Sequence, residues 1–201
     1  SKDLRVVRRL TSSLTDQGFA VLSFDFTGLG HSEGDFVEST FTADVQDLIA
    51  AAEYLAQTIA PPSLLVGHSL GGAAVRAAAP DLPSVKAVAT IAAPADPAHV
   101  RKIFDGDIDA IIRDGSAPAT IAGRTFTVGL SFLEDLEKLQ PLKALARFKG
   151  ATLILHSPID EIVSIDNAET IYRASRHPKS FVSLDTADHL LSNKADVDYV
   201  A

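Results

Sequence analysis

The sequence predicts an α/β fold in which helices cover both faces of a mostly parallel sheet. Helical and strand patterns alternate along most of the chain, which is the order that builds a parallel sheet. Several strand patterns are short, continuous apolar runs, as expected for strands buried on both faces. The chain has 201 residues, a length typical of one domain, so we expect a single domain over residues 1–201.

The first half of the chain alternates three helices with three strands. Apolar residues recur every three or four positions in the first two helices, and the third helix is rich in alanine. Gly18, Pro61 and Pro80 end these helices, because glycine and proline favour helix termination. In chain order we expect a helix from Leu4 to Leu14, a strand over Phe19–Phe26, a helix from Val45 to Ile59, a strand over Ser63–Gly67, a helix over Leu70–Ala79 and a strand over Val85–Ala92.

The second half adds two strands, each followed by a helix. We expect a strand over Ala151–His156, a helix from about Ser164 to Ser175, a strand over Phe181–Leu184 and a polar helix from about Ser192. Residues 94–149 interrupt this alternation with short amphipathic pieces, of which Leu133–Lys138 is interpreted as a solvated helical face. An insertion of this length is more often functional than plain linker, so we expect it to be a cap or lid.

Composition argues against several function classes. The formal net charge is −8, and no basic run is longer than Arg8-Arg9, whereas nucleic-acid binding needs clustered positive charge. No apolar run approaches the roughly 20 residues of a membrane-spanning helix. The chain has no cysteine, so it has neither a thiol nucleophile nor a thiolate metal site. We expect a cytoplasmic protein without metal, cofactor, nucleic-acid partner or membrane partner. A signal peptide before Ser1 and the oligomeric state are left open.

One short motif carries the strongest chemical signal. Gly67-His68-Ser69-Leu70-Gly71 matches the pattern G-x-S-x-G between a predicted strand and a predicted helix, which is the context that this motif needs. Such a serine lies on a sharp, strained turn, and the glycines let neighbouring backbones approach without a Cβ clash. The first N–H groups of the following helix favour negative charge. We therefore predict Ser69 as a nucleophile and the Leu70 N–H as a donor to an oxyanion.

A serine hydroxyl needs a base, and the base needs an acid that orients it. His189 lies in a short loop after the last predicted strand, and Asp160 lies in the loop after the fourth strand. Both loops leave the sheet at the edge where Ser69 is expected. The order Ser, Asp, His along the chain also accompanies this kind of serine turn. We predict His189 as the base and Asp160 as the acid.

The other histidines and carboxylates are interpreted as structural or solvent-exposed. We expect His156 to be a structural hydrogen-bonding residue and His68 to turn away from the reacting centre toward packing partners. The remaining histidines, expected to be solvated, are His31, His99 and His177. The rival acids are Glu161, Asp185 and Asp188, of which Glu161 is expected to face solvent or the start of the next helix.

Two further patterns are weak. Gly28-Leu-Gly30 follows a strand but lacks the third glycine of a dinucleotide site. Asp96 and His99 supply two metal ligands without a third, and such pairs are far more often loop polarity.

Taken together, these motifs resemble those of the α/β-hydrolase superfamily, of the serine-hydrolase type. The matching segments are Ser23–Gly34, which is similar to the family's D-x-x-G-x-G-x-S loop, the serine motif, the Asp160 loop and Asp188-His189. The sequence from Asp25 to Asp35 especially resembles the hydrolase half of bacterial proteins that fuse this domain to an OsmC-like peroxide-reductase domain. The resemblance implies Ser69 as nucleophile, Asp160 as acid and His189 as base, and an OsmC-like domain as a fusion partner. Serine in place of aspartate argues against haloalkane dehalogenase or epoxide hydrolase chemistry.

The resemblance also implies a departure at the front of the chain. In that family a strand precedes the first helix, and its terminal loop donates the second oxyanion N–H. Since the sequence starts at the helix, we expect an α/β-hydrolase domain whose N-terminal strands are missing, with one oxyanion donor.

The leading functional hypothesis is a serine hydrolase that cleaves a small-molecule ester, thioester or amide through an acyl-enzyme. The alternative is a non-catalytic binding module that serves a fused redox domain. Peptidase and cofactor-free haloperoxidase activities share the same triad and stay open.

Overall fold

The structure is a computed structural model that describes residues 2–98, 108–121, 124–136 and 138–201. The α-helices within these ranges are α1 (Arg5–Asp16), α2 (Phe41–Thr58), α3 (Leu70–Ala78), α4 (Ile108–Asp114), α5 (Leu130–Asp135), α6 (Pro141–Arg147), α7 (Asp166–Ala174) and α8 (Lys194–Val200), and two short 3₁₀ helices span Phe36–Glu38 and Ala79–Asp81. The strands are β1 (Leu64–His68), β2 (Ala87–Ile91), β3 (Ser116–Ile121), β4 (Arg124–Gly129), β5 (Ala151–His156) and β6 (Lys179–Ser183). Every predicted helix is present, and so is every predicted strand except the one over 19–26.

The main sheet has four parallel strands in the order β1-β2-β5-β6. At its carboxyl edge His68 lies opposite Ile91, Ile91 lies opposite Leu155, and His156 lies opposite Ser183. Because parallel strands all end at the same edge, the loops after β1, β5 and β6 leave the sheet together. These are the loops that carry the three predicted site residues.

Two hydrophobic clusters cover the two faces of this sheet. The larger cluster combines α2, α3 and α7 with sheet residues such as Val88 and Ile154. The smaller cluster holds Ile91 and Leu155 against α1 and α8, through Val6 and Val197. Because side chains alternate across a strand, neighbouring strand residues supply opposite clusters. Helices on both faces of a parallel sheet confirm the predicted fold class.

The insertion between β2 and β5 contains two strands that the sequence did not indicate. β3 and β4 pair antiparallel in a separate two-stranded sheet, from Ser116 opposite Gly129 to Thr120 opposite Thr125. Buried residues of this part, among them Ile111, Val128 and Phe132, belong to the larger cluster of the main sheet. The described part of the insertion therefore packs on the same core as α2 and α3.

The prediction of a strand over Phe19–Phe26 is wrong. A strand needs a neighbour that supplies backbone hydrogen bonds, and within the described residues this segment does not pair with β1. Its apolar residues are divided: Phe24 and Phe26 stack edge-to-face at 5.3 Å and pack on the core. Phe19 and Leu22, however, are 54% and 39% exposed. Local apolar density therefore indicated neither strand structure nor full burial of these side chains.

The interpretation of Leu133–Lys138 as a solvated face is also wrong. Leu133 and Leu136 are fully buried, and Asp135 is 3% exposed. The Asp135 Oδ2 accepts the Thr42 N–H at 2.6 Å, at the first turn of α2. Helix N-termini have N–H groups without an intrahelical partner and favour anions, so the carboxylate is buried where it stabilises α2. Residue 137 lies outside the described ranges.

None of the described helices has both the length and the apolar character needed to cross a bilayer.

Candidate active site

The turn between β1 and α3 holds Ser69 in a strained backbone conformation. Its φ is 53° and its ψ is −128°, a region that residues with a side chain rarely adopt. The Ser69 N–H donates to Ile91 O at 2.9 Å, which fixes the turn to the end of β2. Leu70 begins α3, so its N–H is among those that lack a partner four residues earlier within the helix.

The glycines around this turn differ in how much space a Cβ atom would have. A Cβ at Gly67 would lie 2.3 Å from Gly71 O, and one at Gly72 would lie 2.5 Å from the Ala93 Cβ. A Cβ at Gly71 would meet nothing within 4 Å. The predicted close approach therefore holds for Gly67 but not for Gly71, and Gly72, which lies outside the motif, is the second glycine that packing requires.

Ser69, His189 and Asp160 are joined by two hydrogen bonds. The His189 Nδ1 lies 2.8 Å from Asp160 Oδ2, and the His189 Nε2 lies 3.0 Å from Ser69 Oγ. An ionised carboxylate only accepts, so Nδ1 carries the proton and Nε2 accepts from the Ser69 hydroxyl. The structure thus brings together the three predicted residues, with His189 between Asp160 and Ser69.

The Asp160 carboxylate is held by the backbone of its own loop. Its Oδ1 accepts the N–H groups of Ile162 and Val163, both at 2.9 Å. Burial acts to raise the pKa of Asp160, but the hydrogen bonds from His189 and from these N–H groups outweigh it and lower the pKa. The group is therefore a carboxylate at neutral pH with one oxygen fixed and the other directed at His189.

His156 is a buried hydrogen-bonding residue at the base of this loop. It is fully buried, and its Nε2–H donates to Val163 O at 2.8 Å. The same nitrogen lies 3.7 Å from Asp160 Oδ2. Burial lowers the pKa of His156, and its Nδ1 has no hydrogen-bond partner among the described residues. The predicted structural role of His156 is confirmed.

The prediction for His68 is wrong. Rather than turning away from the centre, its Nε2 lies 2.7 Å from the backbone O of His189. The two imidazole rings are 5.1 Å apart between centroids, at 49°. Burial lowers the pKa of His68 to about 4, so this ring is neutral at neutral pH. No local sequence pattern indicates this contact, because the two residues are 121 positions apart.

The alternative acids lie elsewhere. Glu161 is exposed, as predicted. Asp188 accepts the Ser192 N–H at 2.8 Å, and Asp185 accepts the Ser183 hydroxyl. The hydrogen bonds of these two carboxylates are made to the chain around His189 and not to its ring.

Of the histidines expected to be solvated, His31 and His177 are exposed. His99 lies outside the described residues, so the weak Asp96/His99 pattern is only partly covered by the structure. The ranges that the structure covers contain no group of three or more metal-ligating side chains suited to a metal ion.

The Gly28–Gly34 loop is built around Asp25. The Asp25 carboxylate is 5% exposed and accepts the Lys2 N–H, the Lys2 ammonium and the His31 N–H. A Cβ at Gly30, whose φ is +57°, would lie 2.2 Å from Asp25 Oδ2. The glycine lets the loop close over the carboxylate, which gives this motif a structural explanation.

Arg76 was not singled out from the sequence, although it is the one charged residue in the alanine-rich α3. It is fully buried and donates to the backbone O atoms of Gly72, Ala95 and Pro94. Burial lowers its pKa to about 9. The side chain thereby ties the start of the insertion to the first turn of α3.

The chain is similar to known proteins in sequence and in fold. The sequence profile of the alpha/beta hydrolase family matches residues 4–199. The chain is 48% identical to the esterase domain of a Rhodothermus marinus protein, with a TM-score of 0.80 over 100% of this chain and 78% of that one. Mouse alpha/beta hydrolase domain-containing protein 10 is 24% identical, with a TM-score of 0.81 over 100% of this chain and 82% of that one. At that identity the likeness shows the fold alone.

A curated Salmonella typhi protein described as "Uncharacterized protein YfhR" is 25% identical over 183 residues. The alignment covers 90% of this chain but 58% of that protein. The chain thus spans little more than half the length of this relative.

Proposed function

The chain belongs to the alpha/beta hydrolase family, and from this premise we propose that it is a serine hydrolase acting on a small ester, thioester or amide. The observation that carries the proposal is the hydrogen-bonded series from Asp160 through His189 to Ser69, at 2.8 and 3.0 Å. A neutral imidazole that accepts from a strained serine is the arrangement that activates a hydroxyl.

The proposed reaction proceeds through an acyl-enzyme on Ser69. The Oγ attacks the substrate carbonyl carbon while His189 Nε2 takes its proton, and the carbonyl oxygen becomes an oxyanion near the Leu70 N–H. The tetrahedral intermediate collapses, His189 protonates the leaving alcohol, thiol or amine, and the acyl group stays on Oγ. Water then attacks the acyl carbon with His189 again as base, which releases the carboxylic acid and restores Ser69.

Asp160 supports both steps electrostatically. Its carboxylate faces Nδ1, so it fixes the neutral tautomer before attack and stabilises the imidazolium that forms during attack. Its lowered pKa keeps it ionised throughout. The start of α3 supplies favourable potential for the oxyanion, because unpaired N–H groups converge there.

Esters are the substrate class that the relatives favour. The similar Rhodothermus marinus chain, at 48% identity, is an esterase domain. In addition, the alcohol that leaves from an ester depends less on protonation by His189 than the amine that leaves from an amide. We therefore expect acyl esters to be turned over faster than the matched amides, measured by kcat/KM on the same acyl group.

A fluorophosphonate probe tests the nucleophile. The probe should label the wild-type protein and fail to label Ser69→Ala, while Ser12→Ala, at an exposed position in α1, should label as the wild type does. Labelling that persists in Ser69→Ala on a folded protein would move the nucleophile to another residue.

A fused OsmC-like domain and a non-catalytic binding role are alternative hypotheses. Turnover of p-nitrophenyl acetate that His189→Ala abolishes would reject the binding-only role. Binding of the ester without turnover by the wild type would favour it.

A further inference from the structure

We infer that His68 is a positioning residue that holds the proposed base, His189, against the nucleophile; this inference rests on the proposed function. The observation is the 2.7 Å contact between His68 Nε2 and the backbone O of His189. A carbonyl oxygen only accepts, so the His68 Nε2 carries the proton and donates. Its ring is thus the Nε2–H tautomer and forms a direct link from the end of β1 to the loop that carries His189.

Two adjacent residues therefore contact His189 at two separate atoms. Ser69 Oγ bonds the ring at Nε2 at 3.0 Å, and His68 bonds the main chain at its O atom. Fixing the main chain as well as the ring limits how far the imidazole can swing away from the hydroxyl. Because both contacts start from neighbouring residues of one rigid turn, a shift of that turn moves base and nucleophile together.

The loop around His189 benefits from such a link because the backbone N–H groups on either side of His189 donate within the loop. Ala187 N–H donates to Leu184 O at 3.1 Å, and Leu191 N–H donates to Asp188 O at 3.1 Å. These bonds shape the loop internally without tying it to the nucleophile. The bond from His68 crosses to β1, which is the strand that ends at Ser69.

The charge state of His68 suits this role. Burial lowers its pKa to about 4, so the ring is uncharged while the hydrolase works at neutral pH. A permanent cation 5.1 Å from the His189 ring would oppose the imidazolium that forms during attack. A neutral donor positions the base without that repulsion, and Asp160 remains the charged group facing His189.

Two substitutions at His68 distinguish the effect of its N–H donor from the effect of its side-chain packing. His68→Leu removes the donor, whereas His68→Gln keeps an amide N–H at a similar reach. We expect His68→Leu to lower kcat about 10–100-fold with KM within about twofold, because small misplacements of reacting groups carry penalties of this size. His68→Gln should recover kcat to within about threefold of the wild type, and fluorophosphonate labelling rates should follow kcat.

A spectroscopic measurement tests the contact independently of activity. The ¹⁵N–¹H correlations of the imidazole rings in the wild type should report His68 as the Nε2–H tautomer between pH 6 and 8. The opposite tautomer would overturn the inference, and so would His68→Leu with kcat within twofold of wild type. Equal losses in His68→Leu and His68→Gln at unchanged melting temperatures would also overturn it, because packing rather than the donor would then matter.

The wild-type control separates this inference from the proposed function. A wild type that neither turns over an ester nor binds the fluorophosphonate rejects the proposed function. In that case the tautomer measurement still tests whether His68 Nε2 donates to the backbone O of His189. If His68→Leu does not fold, the glutamine variant and the wild-type tautomer still decide the question.

Discussion

Replacing Asp160 with asparagine tests the proposed triad most directly, because the structure fixes how the new amide must point. Asp160 Oδ1 accepts two backbone N–H groups, from Ile162 and Val163, each at 2.9 Å. An asparagine can accept only through its oxygen, so its Oδ1 must keep that position. Its NH₂ group then replaces Oδ2 and faces His189 Nδ1 at about the present 2.8 Å.

This orientation reverses the tautomer of His189. With a donor opposite Nδ1, the ring must accept there and carry its proton on Nε2, where it would donate to Ser69 Oγ. The base then has no free lone pair for the serine proton. The same change in a well-studied serine protease lowers kcat by about 10⁴, which corresponds to about 5.5 kcal/mol in the activation barrier. We expect a loss of that order here.

The assay is kcat/KM on p-nitrophenyl acetate at neutral pH, together with a thermal melt. Asp188→Asn is the matched control: Asp188 accepts the Ser192 N–H through Oδ1, and an asparagine oxygen can accept the same bond. The control should retain activity within about threefold. A folded Asp160→Asn protein that loses less than tenfold would show that Asp160 does not set the tautomer of His189.

Three further predictions concern stability. Gly67→Ala should lower the melting temperature by several degrees, because its Cβ would lie 2.3 Å from Gly71 O, whereas Gly71→Ala has open space and should melt as the wild type does. Leu133→Ala should lower the free energy of unfolding by about 2–5 kcal/mol, and Glu134→Ala, an exposed neighbour, by less than about 0.5 kcal/mol; equal effects in urea unfolding would contradict the buried face of α5. Burial, with Asp47 and Asp135 nearby, raises the pKa of Asp44 from 3.8 to about 7. The folded state therefore holds a proton that the unfolded state has lost, and Asp44 should reduce stability progressively from about pH 4 to 7, by about 4 kcal/mol above that range. Asp44→Asn should remove this slope in urea titrations at several pH values, and an unchanged slope would assign the pH dependence to other groups.

Elements with strong local signals could be predicted from the sequence. The strand Ala151–His156 has the predicted bounds, because a short apolar run bounded by turn residues rarely has another explanation in an α/β chain. The convergence of Ser69, Asp160 and His189 followed from topology: each comes after a parallel strand, and parallel strands end at one edge.

Other features depended on partners that are distant in the sequence. Residues 19–26 have the composition of a strand, but strand structure needs a paired neighbour, which local composition does not reveal. Asp135 resembles a surface carboxylate until α2 places its first turn against it, with Thr42 N–H at 2.6 Å. The contact of His68 with His189 joins residues 121 positions apart, so no local pattern could indicate it.

Backbone groups at the carboxyl edge of the sheet help to hold each of the three residues of the site. Ser69 is held through its own N–H on Ile91 O, and Asp160 through the N–H groups of its loop. His189 is held through its own O atom by His68. Such contacts do not depend on the side chains that would line an acyl pocket. Substitutions in the insertion should therefore change which acyl group is accepted, seen in KM and in the ranking of esters, while the labelling of Ser69 by a small fluorophosphonate stays nearly constant.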